Sequence, residues 1–520
     1  MAAEEGLTAK HPVILVPGII STGLENWGTS ECSRKYFRHR MWGTVTMFRA
    51  VLLDKDCWTE HMRLDPDTGL DPPGVKLRAA QGLDAADYFI AGYWVWGKII
   101  ENLAAIGYDS NNMYLAAYDW RLGLENLEKR DLYLSKLKSM IELAKRADDQ
   151  KVMVVAHSMG AGVFYYFLKW VESPQGGNGG PTWVNDHLET FVNLAGPMLG
   201  VPKTVASLVS GEMRDTVQPM GEYVLERFYS RSERAALFRT WGGLHSMIPK
   251  GGDVVWGDAA SGAPDDPLTG ASRLSAMLSF RTSDPAEHVA NVSDEHDAVE
   301  HAPALGNLTL SESIRLIRTY GGSRFAKLLD AQYSFGVART EEEVKRLGET
   351  KQAWSNPLES ALPDAPDMKI YCLYGYGKET ERGYVYTTSD ATTFEANDVD
   401  ENENAVAEGL GKVPHHVRID RSVDNESENI DNGVFVGEGD GTVPLLSLGY
   451  MCVDGWRIPR YNPAGIPVYT REYLHRPASI VRDLRGGAGS AEHVDILGNA
   501  ELTVGGGTRK QAERRIAFSS

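Results

Sequence analysis

The chain has 520 residues, 42 % hydrophobic and 9 % aromatic, which excludes disorder and allows one elaborated domain or two to three units. Its 53 basic residues against 71 acidic ones give a formal charge of −18; this argues against a nucleic-acid partner but leaves a membrane surface open, because apolar patches dock where net charge does not. No run approaches the ~18 uncharged apolar residues of a spanning helix, and the polar, alanine-rich start Met1–Lys10 does not read as a signal peptide.

His11-Pro-Val-Ile-Leu-Val-Pro-Gly18 predicts a buried strand stopped by Pro17 and Gly18, followed by a small, polar loop, Ile19 to Leu24. Between Phe37 and Trp58, Met41, Val45, Phe48 and Leu52 recur at helical spacing, widened by Trp42, Met47 and Leu53. Such a stripe is expected in a core. The alternative is a membrane-touching element, favoured by Trp42, Phe48 and Trp58 beside Arg38, Arg40 and Arg49. Cys32 and Cys57 bracket the element, and a disulfide there would contribute about 3 kcal/mol in the chain-entropy model.

After the turn-rich loop Asp65–Gly74, Tyr88–Ile106 predicts a core helix and Met113–Ala117 a strand. Leu124–Ala147 predicts one long amphipathic helix, with Leu127, Leu134, Leu137, Ile141 and Ala144 on one face. Strand and helix alternating in this order argue for a parallel sheet with right-handed crossovers.

Lys151-Val-Met-Val-Val-Ala-His-Ser-Met-Gly-Ala-Gly162 is an apolar β-branched run that ends in a small-residue turn and feeds the apolar segment Val163–Val171. Strand, sharp turn and helix with Ser158 at the apex is the nucleophile elbow, usually G-x-S-x-G, here with Ala156 in place of the first glycine. Taken alone, the string also suits a plain strand-to-helix turn. In serine hydrolases of this architecture the oxyanion hole uses two backbone N–H groups, from the loop after the first strand and from the residue after the nucleophile. Ile19 and Met159 are the candidates.

Glu189–Leu194 predicts another strand. From Gly211 to Pro363 the chain turns helical and loop-like and is expected to form a cap inserted in the sheet; Thr216–Trp241 reads as a lid or as a plain surface helix. Lys369–Tyr374 restores a core strand, and the acidic tract Thr388–Asn432 reads as a solvated face. Val434-Phe-Val-Gly-Glu-Gly-Asp-Gly-Thr-Val-Pro444 puts Asp440 in a glycine-rich turn after an apolar run. Gly486 to Asp495 places His493 in a loop; no P-loop lysine follows its glycines, so a phosphate cradle is not expected.

A serine hydroxyl needs a base, and the base needs an orienting carboxylate. Ser158, Asp440 and His493 occur in the order Ser, Asp, His of this hydrolase architecture. His475, His245 and the pair His415–His416 are rival bases, and Asp431, Glu438 and Asp454 are rival orienters, none in so turn-like a setting. No C-x-x-C or H-E-x-x-H spacing suggests a metal, and the chemistry calls for no cofactor. Three sequons, at Asn291, Asn307 and Asn425, are close in number to what chance supplies.

These strings carry a resemblance. HPVILVPGIISTGLENW, FRHRMWG, LDPDTGLDPP, LRAAQG, DYFIAGYWVW, AAYDWRL, AHSMG, GEGDGTVPL, YNPAG and GGAGSAEHVDILG, spread over roughly residues 11–500, resemble the lecithin–cholesterol acyltransferase family and within it the fungal phospholipid:diacylglycerol branch. The resemblance implies an α/β-hydrolase fold with a large cap/lid insertion and a small membrane-binding excursion. Its expected units are a core from 11–30 and 80–210, the excursion at 31–79, a cap at 211–365 with its lid about 215–241, the second core part at 366–500 and a tail at 501–520. It implies Ser158 as nucleophile, Asp440 as orienter, His493 as base, and Ile19 and Met159 as oxyanion amides. It also implies Cys32–Cys57 and Cys372–Cys452 disulfides and membrane contact near Trp42 and Phe48. The expected donor is the sn-2 acyl chain of a membrane phospholipid and the expected acceptor diacylglycerol. The place implied is the lumenal face of the endoplasmic reticulum, with an anchor preceding the first residue here. A phospholipase using water, or a catalytically silent lipid-binding fold, are the alternatives to be separated by experiment.

Overall fold

The structure is a computed structural model describing residues 6–90, 92–214, 229–266, 274–280, 306–388, 406–407, 411–412, 417–479, 481–483 and 485–504. Its centre is a six-stranded sheet built from β1 (Val13–Val16), β2 (Met113–Leu115), β3 (Val152–His157), β4 (Leu188–Leu194), β5 (Lys369–Tyr376) and β6 (Val468–Leu474). The spatial order is β2-β1-β3-β4-β5-β6, and every neighbouring pair is parallel. β1 is buried along its whole length, as its unbroken apolar run requires of a strand covered on both faces. The chain is thus an α/β protein with a parallel central sheet.

A second sheet stands beside the first. Lys378–Thr388 pairs antiparallel with Val434–Gly439 and with Val417–Ile419, and parallel with Leu278–Phe280. Leu278–Phe280 and Tyr384–Tyr386 lie on either side of residue 365, so this sheet joins segments assigned separately to cap and core. Of the expected lid, 215–228 fall outside the described residues; its end is the helix Arg231–Phe238, opened by a capping box between Ser230 and Glu233.

Three expectations change. Tyr88–Ile106 is not one helix: Tyr88–Ile90 and Tyr93–Trp94 form a short hairpin, and the helix is Gly97–Ala104. Leu124–Ala147 is two helices, Leu124–Asp131 and Tyr133–Asp148, broken where Leu132 turns left-handed at φ 53°. The Phe37–Trp58 stripe is split as well: Met41 is buried in the strand Arg40–Trp42, whereas Val45, Phe48, Leu52 and Leu53 on the helix Val45–Leu53 are 71, 45, 56 and 74 % exposed. Helical spacing therefore did not mark a core face here. Among the described residues, no helix is long and apolar enough to cross a membrane.

Cys32 is bonded to Cys57 and Cys372 to Cys452. The second bond ties β5 to the helix Leu445–Val453 with both cysteines buried. It closes a separation of 80 residues. Removing it as the Cys372→Ala/Cys452→Ala pair is expected to lower the unfolding free energy by roughly 4 kcal/mol, read from denaturant midpoints with and without the bond.

Asp119 and Arg121, both fully buried, pair at 2.7 Å and 3.0 Å, and Arg130 adds a third contact to Asp119 at 2.8 Å. Burial alone would raise the Asp119 carboxyl, but the two guanidinium charges and their hydrogen bonds win and hold it below the usual carboxylate range. This network fixes the turn after β2, at the end of the sheet that carries the elbow.

Candidate active site

The site is assembled from three turns that meet at one end of the sheet. The first is the step from β3 into the helix Met159–Glu172, where Ser158 sits at φ 56°, a left-handed conformation that a non-glycine residue adopts under constraint. Its N–H donates to Leu194 O at 3.0 Å, and its own carbonyl accepts the Ala161 N–H at 2.9 Å. The helix crosses β1 so closely that a Cβ on Gly160 would lie 2.5 Å from Pro17 O and 2.6 Å from Val16 O; only glycine fits there. Ala156, by contrast, is fully buried in register with Val16 and Asn193, so the sheet accommodates its methyl group.

The second turn follows Val434–Gly439. Asp440 is fully buried; its Oδ1 accepts the N–H groups of Thr442 at 3.0 Å and Val443 at 2.7 Å, as the glycine-rich stretch leads one to expect. The preceding strand, however, belongs to the second sheet and not to the parallel one. The third turn carries His493, whose backbone N–H donates to Asp440 O at 3.0 Å.

These turns bring the three side chains together. His493 Nδ1 lies 2.7 Å from Asp440 Oδ2, and His493 Nε2 lies 2.8 Å from Ser158 Oγ. With Asp440 ionised, Nδ1 carries the proton and Nε2 is left to accept from the serine hydroxyl. Ser158 and His493 are 6 % and 5 % exposed, so the pair is shielded yet reachable.

The rivals sit elsewhere. His475 accepts from the Ala491 N–H, His245 is buried against Phe325, and Asp431 pairs with Arg214 at 2.7 Å. His415 and His416 lie outside the described residues.

Met159 is the first residue of its helix, so its amide is among the N–H groups the helix cannot satisfy, at the positive end of the dipole. Ile19 lies in the turn closed by Ser21 N–H to Gly18 O at 3.4 Å. That turn abuts the serine: a Cβ on Gly18 would lie 2.8 Å from Ser158 Cβ. Phe48 is exposed on its helix, as a surface contact requires. Trp42 is half-buried, its ring 5.1 Å from that of Trp120 and 5.5 Å from Phe89.

Several residues around the base escaped the sequence reading. His157 is fully enclosed beside Ser158 and donates from Nε2 to His493 O at 2.8 Å. Burial, reinforced by the nearby His493, pushes its pKa down to about 3, so it stays neutral and holds the base loop without competing for the serine proton. Lys378 pairs with Glu492 at 2.7 Å, and Arg485 donates to Asp495 at 2.7 Å and to Trp94 O at 2.6 Å, bracketing His493 from both sides. His157, Glu492, Asp495 and Trp94 stand inside strings singled out in the sequence, whereas Lys378 and Arg485 carried no such signal.

The Lecithin:cholesterol acyltransferase family model matches residues 36–500, a span that includes all three side chains. The chain belongs to this family. Among its relatives is the phospholipid:diacylglycerol acyltransferase of Schizosaccharomyces pombe, 49 % identical over 501 residues, covering 96 % of this chain and 72 % of that protein. The Saccharomyces cerevisiae protein of the same name is 44 % identical over 507 residues, covering 96 % and 70 %. Phospholipid:diacylglycerol acyltransferase 1 of Arabidopsis thaliana is 37 % identical over 559 residues, covering 96 % and 80 %. For a family member the three-turn assembly is therefore the candidate site of acyl transfer.

Proposed function

We propose that this chain is a phospholipid:diacylglycerol acyltransferase working through an acyl-enzyme on Ser158. The observation that carries the reading is the hydrogen-bonded series Asp440–His493–Ser158 in a chain so similar to proteins of that name. His493 takes the Ser158 proton as the alkoxide attacks the sn-2 carbonyl of a glycerophospholipid. The oxyanion gathers donors from Ile19 and Met159. His493 then returns the proton to the departing oxygen, lysophospholipid leaves and the acyl ester stays on Ser158. In the second half His493 accepts the proton of the diacylglycerol 3-hydroxyl, whose oxygen attacks the ester; the collapse releases triacylglycerol as His493 returns the proton to Ser158 Oγ. The steps need no cofactor.

Water is the competing acceptor. A cap over 211–365 with a lid about 215–241, set on an α/β-hydrolase core, would hold the acceptor close and keep water out. In this reading the helix Val45–Leu53 is the membrane-facing part of the 31–79 excursion, a role its exposed apolar side chains support, and the site works at the lumenal surface of the endoplasmic-reticulum membrane, where both substrates reside. Burying a phenylalanine or leucine side chain is worth about 1.5–3 kcal/mol. The Phe48→Ser/Leu53→Ser pair is accordingly expected to weaken binding to phosphatidylcholine vesicles by at least about tenfold, measured by sedimentation with the vesicles.

The test of function is product analysis with phospholipid labelled in the sn-2 chain, presented with diacylglycerol. Label is expected in triacylglycerol, and none when Ser158 is alanine. Label released solely as free fatty acid would identify a phospholipase; undiminished biological activity of Ser158→Ala would identify a silent lipid-binding fold.

A further inference from the structure

The loop that carries the Ile19 amide is held by two indoles. Trp42 Nε1 donates to Ile20 O at 2.8 Å, and Trp120 Nε1 donates to Thr22 O at 3.1 Å. The two rings pack edge to face, and Trp120 packs the same way on Trp241 at 5.0 Å between ring centres. Trp120 is rigidly mounted: it is fully buried between Asp119 and Arg121, the residues of the bidentate ion pair. Trp42 ends the short strand Arg40–Trp42, which pairs with Leu24–Asn26, the direct continuation of the loop.

Ile20, whose carbonyl accepts the Trp42 bond, has φ at +57°. A β-branched residue avoids that region unless its surroundings impose it. The Ile20 side chain is 44 % exposed, so side-chain packing alone does not impose it. The loop's carbonyls are gripped by the indoles, beside the Ser21 N–H bond to Gly18 O and the Gly23 N–H bond to Ala85 O. An oxyanion donor contributes only if it is aimed before the charge forms, and a displacement of about 1 Å can cost on the order of 100-fold in rate.

We propose that Trp42 is a positioning residue of the acyl-transfer site: its indole N–H, gripping Ile20 O, keeps the neighbouring Ile19 N–H aimed at the oxyanion that forms on Ser158. The proposal rests on the reading of Ser158 as nucleophile. It assigns Trp42 to the chemistry and not to the membrane.

Two variants isolate the N–H. Trp42→Phe keeps an aromatic ring without the donor, and benzothienylalanine at position 42 keeps the indole shape without it. Both are assayed on a soluble short-chain p-nitrophenyl ester, with the rate expressed per Ser158 titrated by a fluorophosphonate, so misfolded protein does not count. The expected result is a loss of about tenfold in kcat in both, with KM little changed. Affinity for a trifluoromethyl ketone, which forms a tetrahedral oxyanion on the serine, should fall in parallel. Unchanged kcat per titrated site overturns the proposal; if vesicle binding falls at the same time, Trp42 is a membrane contact. Ser158→Ala is run alongside. Should that variant still cleave the ester, the nucleophile reading has failed; should it be inactive while both Trp42 variants keep full rate, the indole clamp alone has failed.

Discussion

On the proposed mechanism, Ser158→Ala is expected to lower kcat for acyl transfer by about 10⁵–10⁶-fold, with almost no change in stability. The magnitude follows from what the hydroxyl does: without it there is no acyl-enzyme, and whatever the remaining groups contribute acts on uncatalysed attack. Members of such an assembly are strongly non-additive, so removing the nucleophile costs nearly as much as removing the whole set. The stability side follows from the local packing. The Ser158 backbone bonds to Leu194 and Ala161 survive the change, and an alanine methyl group occupies less space than the side chain it replaces. A steady-state transfer assay together with a thermal melt checks both halves.

Asp440→Asn is expected to lower kcat by about 10⁴-fold, the magnitude known for the corresponding change in a serine protease. The substitution is nearly isosteric, and the amide oxygen can still accept the Thr442 and Val443 N–H groups that shape the turn. What changes is the partner of His493 Nδ1. An amide N–H facing that nitrogen shifts the imidazole proton to Nε2, 2.8 Å from Ser158 Oγ, and the base can no longer accept. The loss therefore falls on kcat, with KM and the melting temperature nearly unchanged. A loss under about tenfold would mean that another group orients the imidazole.

The parts of the site that were legible in the sequence are those made by local turn chemistry. Ser158 stands between a β-branched run and an apolar helix, and Gly160 is demanded by a backbone contact with β1. Asp440 and His493 lie in glycine-rich turns whose chemistry is written within a few residues. β1, β4 and β5 were visible as short apolar runs. β6 was not: Val-Tyr-Thr-Arg-Glu-Tyr-Leu is an edge strand with largely accessible side chains, so its composition is that of a surface segment.

Other misses have the same root in long-range structure. The run from Tyr88 to Ile106 is aromatic enough to satisfy a helical period, yet its first half is a hairpin whose strands pair with each other. The apolar period across Met41, Val45, Phe48 and Leu52 spans a strand and a helix, which no local pattern distinguishes from one core helix. That Val434–Gly439 joins a second sheet depends on pairing with Lys378–Thr388. The partner of the Trp42 N–H depends on where Ile20 lies in space, which no local pattern records. The acceptor lay beyond local chemistry altogether; it enters through the family strings and the relatives' names.

The central claim is that acyl groups pass through Ser158 to diacylglycerol. The most direct measurement is rapid quenching of the enzyme with phospholipid alone, followed by mass analysis of the peptide containing Ser158 and a chase with diacylglycerol. The account predicts an acyl adduct on Ser158 that disappears during the chase as an equivalent amount of triacylglycerol forms. No adduct on Ser158, or an adduct cleared as free fatty acid at a rate that diacylglycerol does not alter, would contradict it.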